Sequence, residues 1–437
     1  MADRAELRTD EFDLGGLPAP ARREAGLLLV AGLIILVNHI ALAIVRDRPW
    51  TSLWPVGVWA VCAIVGHIVL NRRLRWRDPL LFPLAMFLTG WGLNLIDRLV
   101  PSYAGRQTLW LVVGLSALLA VSLLPRDLRW LSRYRYTWLS GGLLLLAITI
   151  LFGENPSNAG PRLWLGFGRI YYQPSELLKI VLVVFLASFF ADHQRYMRTD
   201  MIRLWRWRVP SPAFLAPVLL MWGVCMVVLV WQRDLGTATL FFVVFMFMLY
   251  LTSGQALLLL GGVALLSAAA AAAFSRIDVV ALRINVWADP WATADSDAYQ
   301  VVQSLMAVSA GGVFGQGIGQ GQPTIIPVVH SDFAFAAVAE EWGLVGIITV
   351  VVVLAVIVVR GMSIAARTRF VFRSLLASGL SMMLAVQSLL IMAGVLKLVP
   401  LTGITLPFLS YGGSSLLTSF VIIGLLLMLS TDERMPV

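Results

Sequence analysis

Charge is what this chain has least of. Of its 437 residues only 13% are charged, while 59% are hydrophobic. Soluble domains carry about a quarter charged residues, so a soluble globular fold is excluded. Mean hydropathy is +0.84 over the full length, and several apolar runs exceed the ~18 residues that suggest a membrane span. Lysine is nearly missing, with two against thirty-one arginines. Cysteine is scarce too: Cys62 and Cys225 both lie inside apolar runs, which excludes a disulfide framework. His330 has no second histidine or cysteine at ligand spacing, so a zinc site is unsupported. The first 24 residues lack the short apolar core of a cleaved signal peptide and read as a polar cytoplasmic tail.

What remains is an all-α polytopic membrane protein. Twelve apolar segments are expected, at residues 25–46, 51–70, 79–97, 107–124, 137–152, 175–192, 211–231, 235–252, 256–275, 337–359, 375–396 and 413–430. The net charge of +9 would suggest nucleic acid in a soluble protein. Here the arginines cluster in short loops, so no nucleic-acid partner is expected. Arg72, Arg73, Arg75 and Arg77 occupy the second loop; Arg126, Arg129, Arg133 and Arg135 the fourth; Arg195, Arg198, Arg203, Arg206 and Arg208 the sixth. Arg367, Arg369 and Arg373 occupy the tenth, and the odd loops carry at most two basic residues each. By the positive-inside rule the even loops and both termini are cytoplasmic. The chain therefore divides into a tail (1–24), two N-terminal spans (25–78), a membrane domain (79–430) and a short cytoplasmic end (431–437).

The longest non-spanning piece, residues 276–336, then faces outside. A loop of about sixty residues is usually functional or disordered. This one holds Trp287, Trp291, Tyr299 and the amphipathic run "YQVVQSLMAVSA", so an ordered loop at the membrane surface is expected. Its "GGVFGQGIGQGQP" resembles a phosphate loop in composition only. It lacks the lysine and hydroxyl of a nucleotide-binding loop and follows no strand, so nucleotide binding is excluded and a turn expected.

Ionisable groups at membrane depth are functional candidates by default. Glu176 and Lys179 stand at i and i+3 at the start of a span. They can satisfy each other, or one can contact substrate. Asp234 precedes a span, where it can cap the helix. Glu340 and Glu341 open another span, where acids suit the helix dipole. "LPFLSYGGSSLL" before the last span is a turn or a backbone loop lining a cavity.

Six stretches occur in one order: "RQTLW" (106–110), "GPRLWLGFGRIYYQPSELLK" (160–179), "QRDLGTA" (232–238), "DPW…YQVVQSLMAVSAGGVFGQGIG" (289–319), "HSDFAFAAVAEEWGLVG" (330–346) and "PLTGITLPFLSYGGSS" (400–415). Together they resemble the FtsW/RodA family of bacterial shape, elongation, division and sporulation proteins, over about residues 80–430. The family usually has ten spans; the two N-terminal extra ones look like those of some longer RodA-type members.

The resemblance implies a peptidoglycan glycosyltransferase of the bacterial cytoplasmic membrane. Its substrate would be lipid II, polymerised on the outer face with inversion, and its partner a class B penicillin-binding transpeptidase within an elongation or division complex. It also implies a loop carboxylate as general base, and cations for the leaving diphosphate: Arg162, Arg169, Lys179 or a divalent ion, Mg or Mn. Glu176, Asp234, His330, Asp332, Glu341 and Ser410 fall in motifs expected around the substrate. One departure matters. The family pattern "(D/N)P-W-x-D-P-x-G-x-G-Y-Q" assigns catalysis to its second acid, and Thr293 stands there. A hydroxyl has no suitable pKa for that role. Either Asp295, two residues on, supplies the base, or the chain is a non-catalytic scaffold or activator. A lipid-precursor flippase is the third reading, with Glu176, Lys179 and Asp234 as its path.

Overall fold

The computed structural model describes residues 19–431 except 126, 156–161, 168–169, 200, 205–206, 211–218, 220–222, 224–225, 228–229 and 233. The long helices are α1 (Ala19–Val45), α2 (Trp54–Arg73), α3 (Leu81–Leu99), α4 (Pro101–Ser122), α6 (Arg135–Phe152), α7 (Pro174–Thr199), α8 (Leu235–Ser253), α9 (Ala256–Phe274), α12 (Ala334–Arg367), α13 (Val371–Val395) and α14 (Gly413–Thr431). Shorter ones are α5 (Arg129–Arg133), α10 (Asp278–Ala288) and α11 (Tyr299–Gly311). Two small antiparallel hairpins accompany them, Leu165–Phe167 with Ile170–Tyr172 and Met201–Leu204 with Trp207–Pro210.

Ten helices among the described residues are long and apolar enough to cross a membrane. The expected third span, α3, is not among the ten; it is buried along almost its whole length and carries Asn94, Asp97 and Arg98. Protein rather than lipid surrounds it, so its polar side chains find partners. The expected seventh span, 211–231, lies largely outside the described residues.

Burial separates centre from rim. In α7, 89% of the apolar stretch is buried, against 6% in α9. The centre is built from α3, α7, α13 and α14, and α14 packs along α4. Local rules set the ends. Asp234 caps α8 by accepting the Thr237 N–H at 3.2 Å, and Gly254, at φ 72°, stops it in the left-handed conformation.

The arginine-rich ends of the helices meet at one end of the bundle. Helix α1 starts at Ala19, six residues before the segment expected at 25. The reason is Glu24, assigned by sequence to the tail. It is 1% exposed and accepts from Arg77 at 2.7 and 2.5 Å and pairs with His67 at 2.8 Å. At the same end Arg360 donates to Asp78 at 2.7 Å, and the Asp78 N–H donates to the Ser430 hydroxyl at 2.9 Å.

The expected outer loop is ordered. Helices α10 and α11 form within it, and α11 lies against α12. The glycine-rich run does more than turn. Helix α12 is broken at Gly343, whose φ of 61° and ψ of −153° are not helical. The break frees carbonyls and N–H groups on either side of it. The run takes them: Gln316 and Gly317 N–H donate to the carbonyls of Glu340 and Glu341 at 2.8 and 3.1 Å. In return Leu344 and Val345 N–H donate to Gly312 and Val313 at 3.0 and 3.2 Å. A Cβ on Gly343 would sit 2.4 Å from the Gly315 nitrogen. Gly343→Ala therefore meets both strain and backbone, and should cost more than about 2 kcal/mol. Thermal unfolding of the detergent-solubilised protein will show a fall of several degrees; an unchanged midpoint would rule this reading out.

Candidate active site

Two polar centres lie at the end of the bundle away from the arginine-rich loops. The first surrounds the start of α7. Pro174 sits in the first turn and fixes the helix entry, which brings Ser175, Glu176 and Lys179 inward. Lys179, 1% exposed, donates to Glu176 at 2.7 Å and to the side-chain amide oxygen of Gln387 at 3.1 Å. Gln387, on α13, donates onward to the Thr405 carbonyl at 2.9 Å. Ser175 and Gln173 donate to Asp234 at 3.1 and 3.3 Å, and the Gln173 N–H reaches the Ser414 hydroxyl at 2.9 Å. Asp234 is thus both cap and acceptor, and Lys179 is spent on an internal network.

The segment 396–412 is the backbone loop that its sequence allowed. It is irregular yet largely buried, with Leu406, Phe408 and Leu409 at 2% exposure or less. It comes close because Gly92 and Gly236 have no side chain: a Cβ there would meet the Leu409 and Thr402 carbonyls at 2.6 and 2.5 Å. Ser410 holds the loop's own turn, accepting the Leu406 N–H at 3.1 Å, and its carbonyl accepts from Gln107 at 3.4 Å. The His330 carbonyl accepts the Tyr411 N–H at 2.8 Å, and the His330 ring meets Tyr103 and Tyr411 edge-on. Burial holds the His330 imidazole below its ordinary pKa. Burial also raises the Tyr411 phenol, against the lowering effect of Arg106.

The second centre is a cavity of about 200 Å³ between α10, α11 and the 396–412 loop. Arg283, Trp287, Asp297, Gln300, Asp332 and Lys397 line it. Arg283 donates to the Thr402 carbonyl at 3.2 Å, and Trp287 to the Lys397 carbonyl at 3.1 Å. Lys397 adopts φ 59°, a conformation that costs a non-glycine residue about 1–2 kcal/mol; such residues gather at functional sites. Asp332 accepts the Ser331 hydroxyl at 2.7 Å. Enclosure raises its carboxyl above the ordinary value, against the lowering effects of Ser331 and Arg283. A cavity with two cationic and two carboxyl side chains beside a tryptophan can hold an anionic group and accept a proton.

The remaining candidates fall elsewhere. Asp295 is exposed on the same loop but does not line the cavity. Thr293 closes a single 3-10 turn, its carbonyl accepting from Ser296 and Ala298. Asp289 accepts the N–H groups of Trp291 and Ala292 at 3.2 and 3.4 Å. Arg162 is exposed beside the 165–172 hairpin; Arg169 lies outside the described residues. Glu341 pairs with the buried Arg98 at 2.9 Å, and Arg98 also donates to the Gly321 carbonyl at 2.8 Å. Glu340 accepts the Gln322 N–H at 2.7 Å. Both acids therefore anchor the glycine-rich run. Among the described residues no three His, Cys, Asp or Glu side chains converge as a cation site, so the residues here do not by themselves supply a cage for the expected divalent ion.

Sequence reasoning missed Arg283, Gln387 and Lys397. Two signals were available: Lys397 is the second of only two lysines, and Gln387 interrupts an apolar span.

Helical spans around a buried polar centre, with an ordered loop roofing one end, define a polytopic membrane protein with a one-sided site. The chain belongs to the FtsW/RodA/SpoVE family, described as cell cycle proteins, whose profile matches residues 90–435. Among its relatives, the peptidoglycan glycosyltransferase RodA of Mycobacterium leprae is 36% identical over 435 residues, 96% of this chain and 92% of that protein. The probable peptidoglycan glycosyltransferase FtsW of Geobacter metallireducens is 31% identical over 75% of this chain and 85% of that protein. Among solved structures, a chain from a peptidoglycan synthase complex that coordinates polymerization and crosslinking matches with a TM-score of 0.69 and 26% identity, covering 82% of this chain and 99% of that one. The rod shape determining protein RodA of Thermus thermophilus shares the fold, with a TM-score of 0.57 and 24% identity over 82% of this chain and 98% of that one.

The buried pair makes a test. Lys179→Met leaves Glu176 buried without its cation, which costs roughly 3–5 kcal/mol; adding Glu176→Gln should recover most of it. Unfolding midpoints of the two single variants and the double variant will measure the coupling, and additive losses would refute it.

Proposed function

We propose that this chain is a peptidoglycan glycosyltransferase of the RodA type, polymerising lipid II at the outer face of the bacterial cytoplasmic membrane. The observation that carries the reading is the cavity of Arg283, Asp297, Asp332 and Lys397, on the side opposite the arginine-rich loops, in a chain 36% identical to a peptidoglycan glycosyltransferase over nearly its whole length. RodA-named relatives match 96% of the chain and FtsW-named ones about three quarters, which supports a role in elongation. The neighbouring structure is that of a synthase complex joining polymerization to crosslinking. That supports a class B penicillin-binding transpeptidase as partner.

In this reading a loop carboxylate takes the proton of the acceptor sugar 4-hydroxyl. The oxygen attacks the donor anomeric carbon, a glycosidic bond forms with inversion, and the bond to the lipid diphosphate breaks. Guanidinium and ammonium groups placed where the diphosphate charge develops stabilise the transition state. Arg283 and Lys397 line the cavity, whereas Lys179 is already paired.

The base is Asp295 if the loop carries its family acid two residues late. A specific observation favours a second assignment, Asp297, because Asp297 and not Asp295 lines the cavity.

Polymerisation of fluorescent lipid II by the purified protein, with and without a transpeptidase partner, decides. Loss of a general base should cost about 10²–10⁴-fold. Asp295→Ala alone abolishing product assigns Asp295; Asp297→Ala alone doing so assigns Asp297; Asp289→Ala should leave polymerisation intact. If the wild type makes nothing and Thr293→Asp does, the polymerase reading falls and the non-catalytic one stands. A flippase would instead lose function on substitution of Glu176, Lys179 or Asp234, with the loop acids silent.

A further inference from the structure

A second cavity, of about 760 Å³, opens at the arginine-rich end of the bundle, far in sequence from the loop acids. Arg23, Arg360 and Arg367 line it together with Leu27, Val30 and Leu80. Arg23, Leu27 and Val30 are at i, i+4 and i+7 on α1, one face running from a charged head into apolar side chains. Arg360 and Arg367 are seven residues apart and share the facing side of α12. Leu27 and Val30 are 36% and 56% exposed, and a Cβ placed on Gly26 would meet nothing within 4 Å, so the groove stands open over α1. Of the three arginines, Arg360 is paired with Asp78. Among the described residues no carboxylate faces Arg23 or Arg367. Among the described residues the groove therefore has two positive charges without a carboxylate partner, beside hydrocarbon walls.

We infer that this groove binds an anionic phospholipid of the inner leaflet, its phosphodiester between Arg23 and Arg367 and its acyl chains along Leu27, Val30 and Leu80. Charge complementarity selects the occupant. Guanidinium forks match phosphate oxygens, and basic grooves between spanning helices on the cytoplasmic side take acidic headgroups. A zwitterionic lipid offers its phosphate only with a neighbouring cation, which two unpaired arginines repel. The soluble phosphate ion lacks the chains that would cover the exposed Leu27 and Val30.

Native mass spectrometry of the full-length protein, released from nanodiscs of equal phosphatidylglycerol and phosphatidylcholine, tests this. The wild type should retain phosphatidylglycerol in preference, and Arg23→Gln with Arg367→Gln should reduce that preference roughly tenfold or more, as expected for two surface arginine contacts. Gly26→Leu fills the groove without changing charge and favours the helix, so it should have the same effect in a folded protein. Equal retention of the two lipids by the wild type overturns the proposal. So does a preference that survives both variants, which would place the lipid elsewhere. Displacement of the lipid by inorganic phosphate alone would indicate a free-anion site and also overturn it. If the wild type holds no lipid but does so once Asp10, Glu11 and Asp13 are changed to amides, the chain's own N-terminal segment is the occupant and the proposal falls.

Discussion

No backbone polar group can be left unpaired where water is excluded, and this chain twice breaks its helical backbone inside the bundle. Helix α12 stops and restarts at Gly343. The segment 396–412 runs irregularly through the protein with Leu406, Phe408 and Leu409 fully enclosed. Everything at that end follows from how the freed groups are satisfied. The glycine-rich run exchanges hydrogen bonds with the broken helix across its break. Gln387, Gln107 and Arg283, from three separate elements, donate to carbonyls of the buried loop. Two of the residues that answer the second break, Gln387 and Arg283, also build the site.

Burying charge imposes the same discipline on side chains. Arg98 with Glu341, Arg48 with Asp97 and Lys179 with Glu176 are each paired within 2.9 Å. Such pairs are weak evidence of stability, since desolvation offsets much of the attraction. Their effect is to fix register. Arg46 and Arg98 reach the carbonyls of Gly319 and Gly321 at 2.6 and 2.8 Å, so the turn just after α1 and the end of α3 both hold the glycine-rich run. The N-terminal end of the chain is thereby tied, through Arg46, to the roof of the site rather than appended to its side.

The sequence made the class of fold legible because hydrophobic length and arginine placement are one-dimensional signals. Spans, ordered outer loop, the Asp234 cap and the Glu176–Lys179 pair could all be read without coordinates. Three things could not. The start of α1 at Ala19 depends on Arg77 meeting Glu24, a contact between residues far apart in the chain. The break at Gly343 looks in sequence like one more glycine in a span, and its partners lie about thirty residues earlier. The cavity joins Arg283, Asp297, Asp332 and Lys397 from separate segments. Periodicity cannot tell Asp295 from Asp297 on an irregular loop, because which acid faces inward is set by the turn that ends at Thr293.

The scarcity of lysine has a further consequence. Of the two ammonium side chains, Lys179 is enclosed and held by Glu176 and Gln387, while Lys397 stands partly open at the cavity mouth. Amine-directed reagents therefore find a single accessible side-chain target on the whole protein, and it lies in the cavity. A dye or crosslinker coupled there would report on that cavity directly, with no residue needing to be engineered.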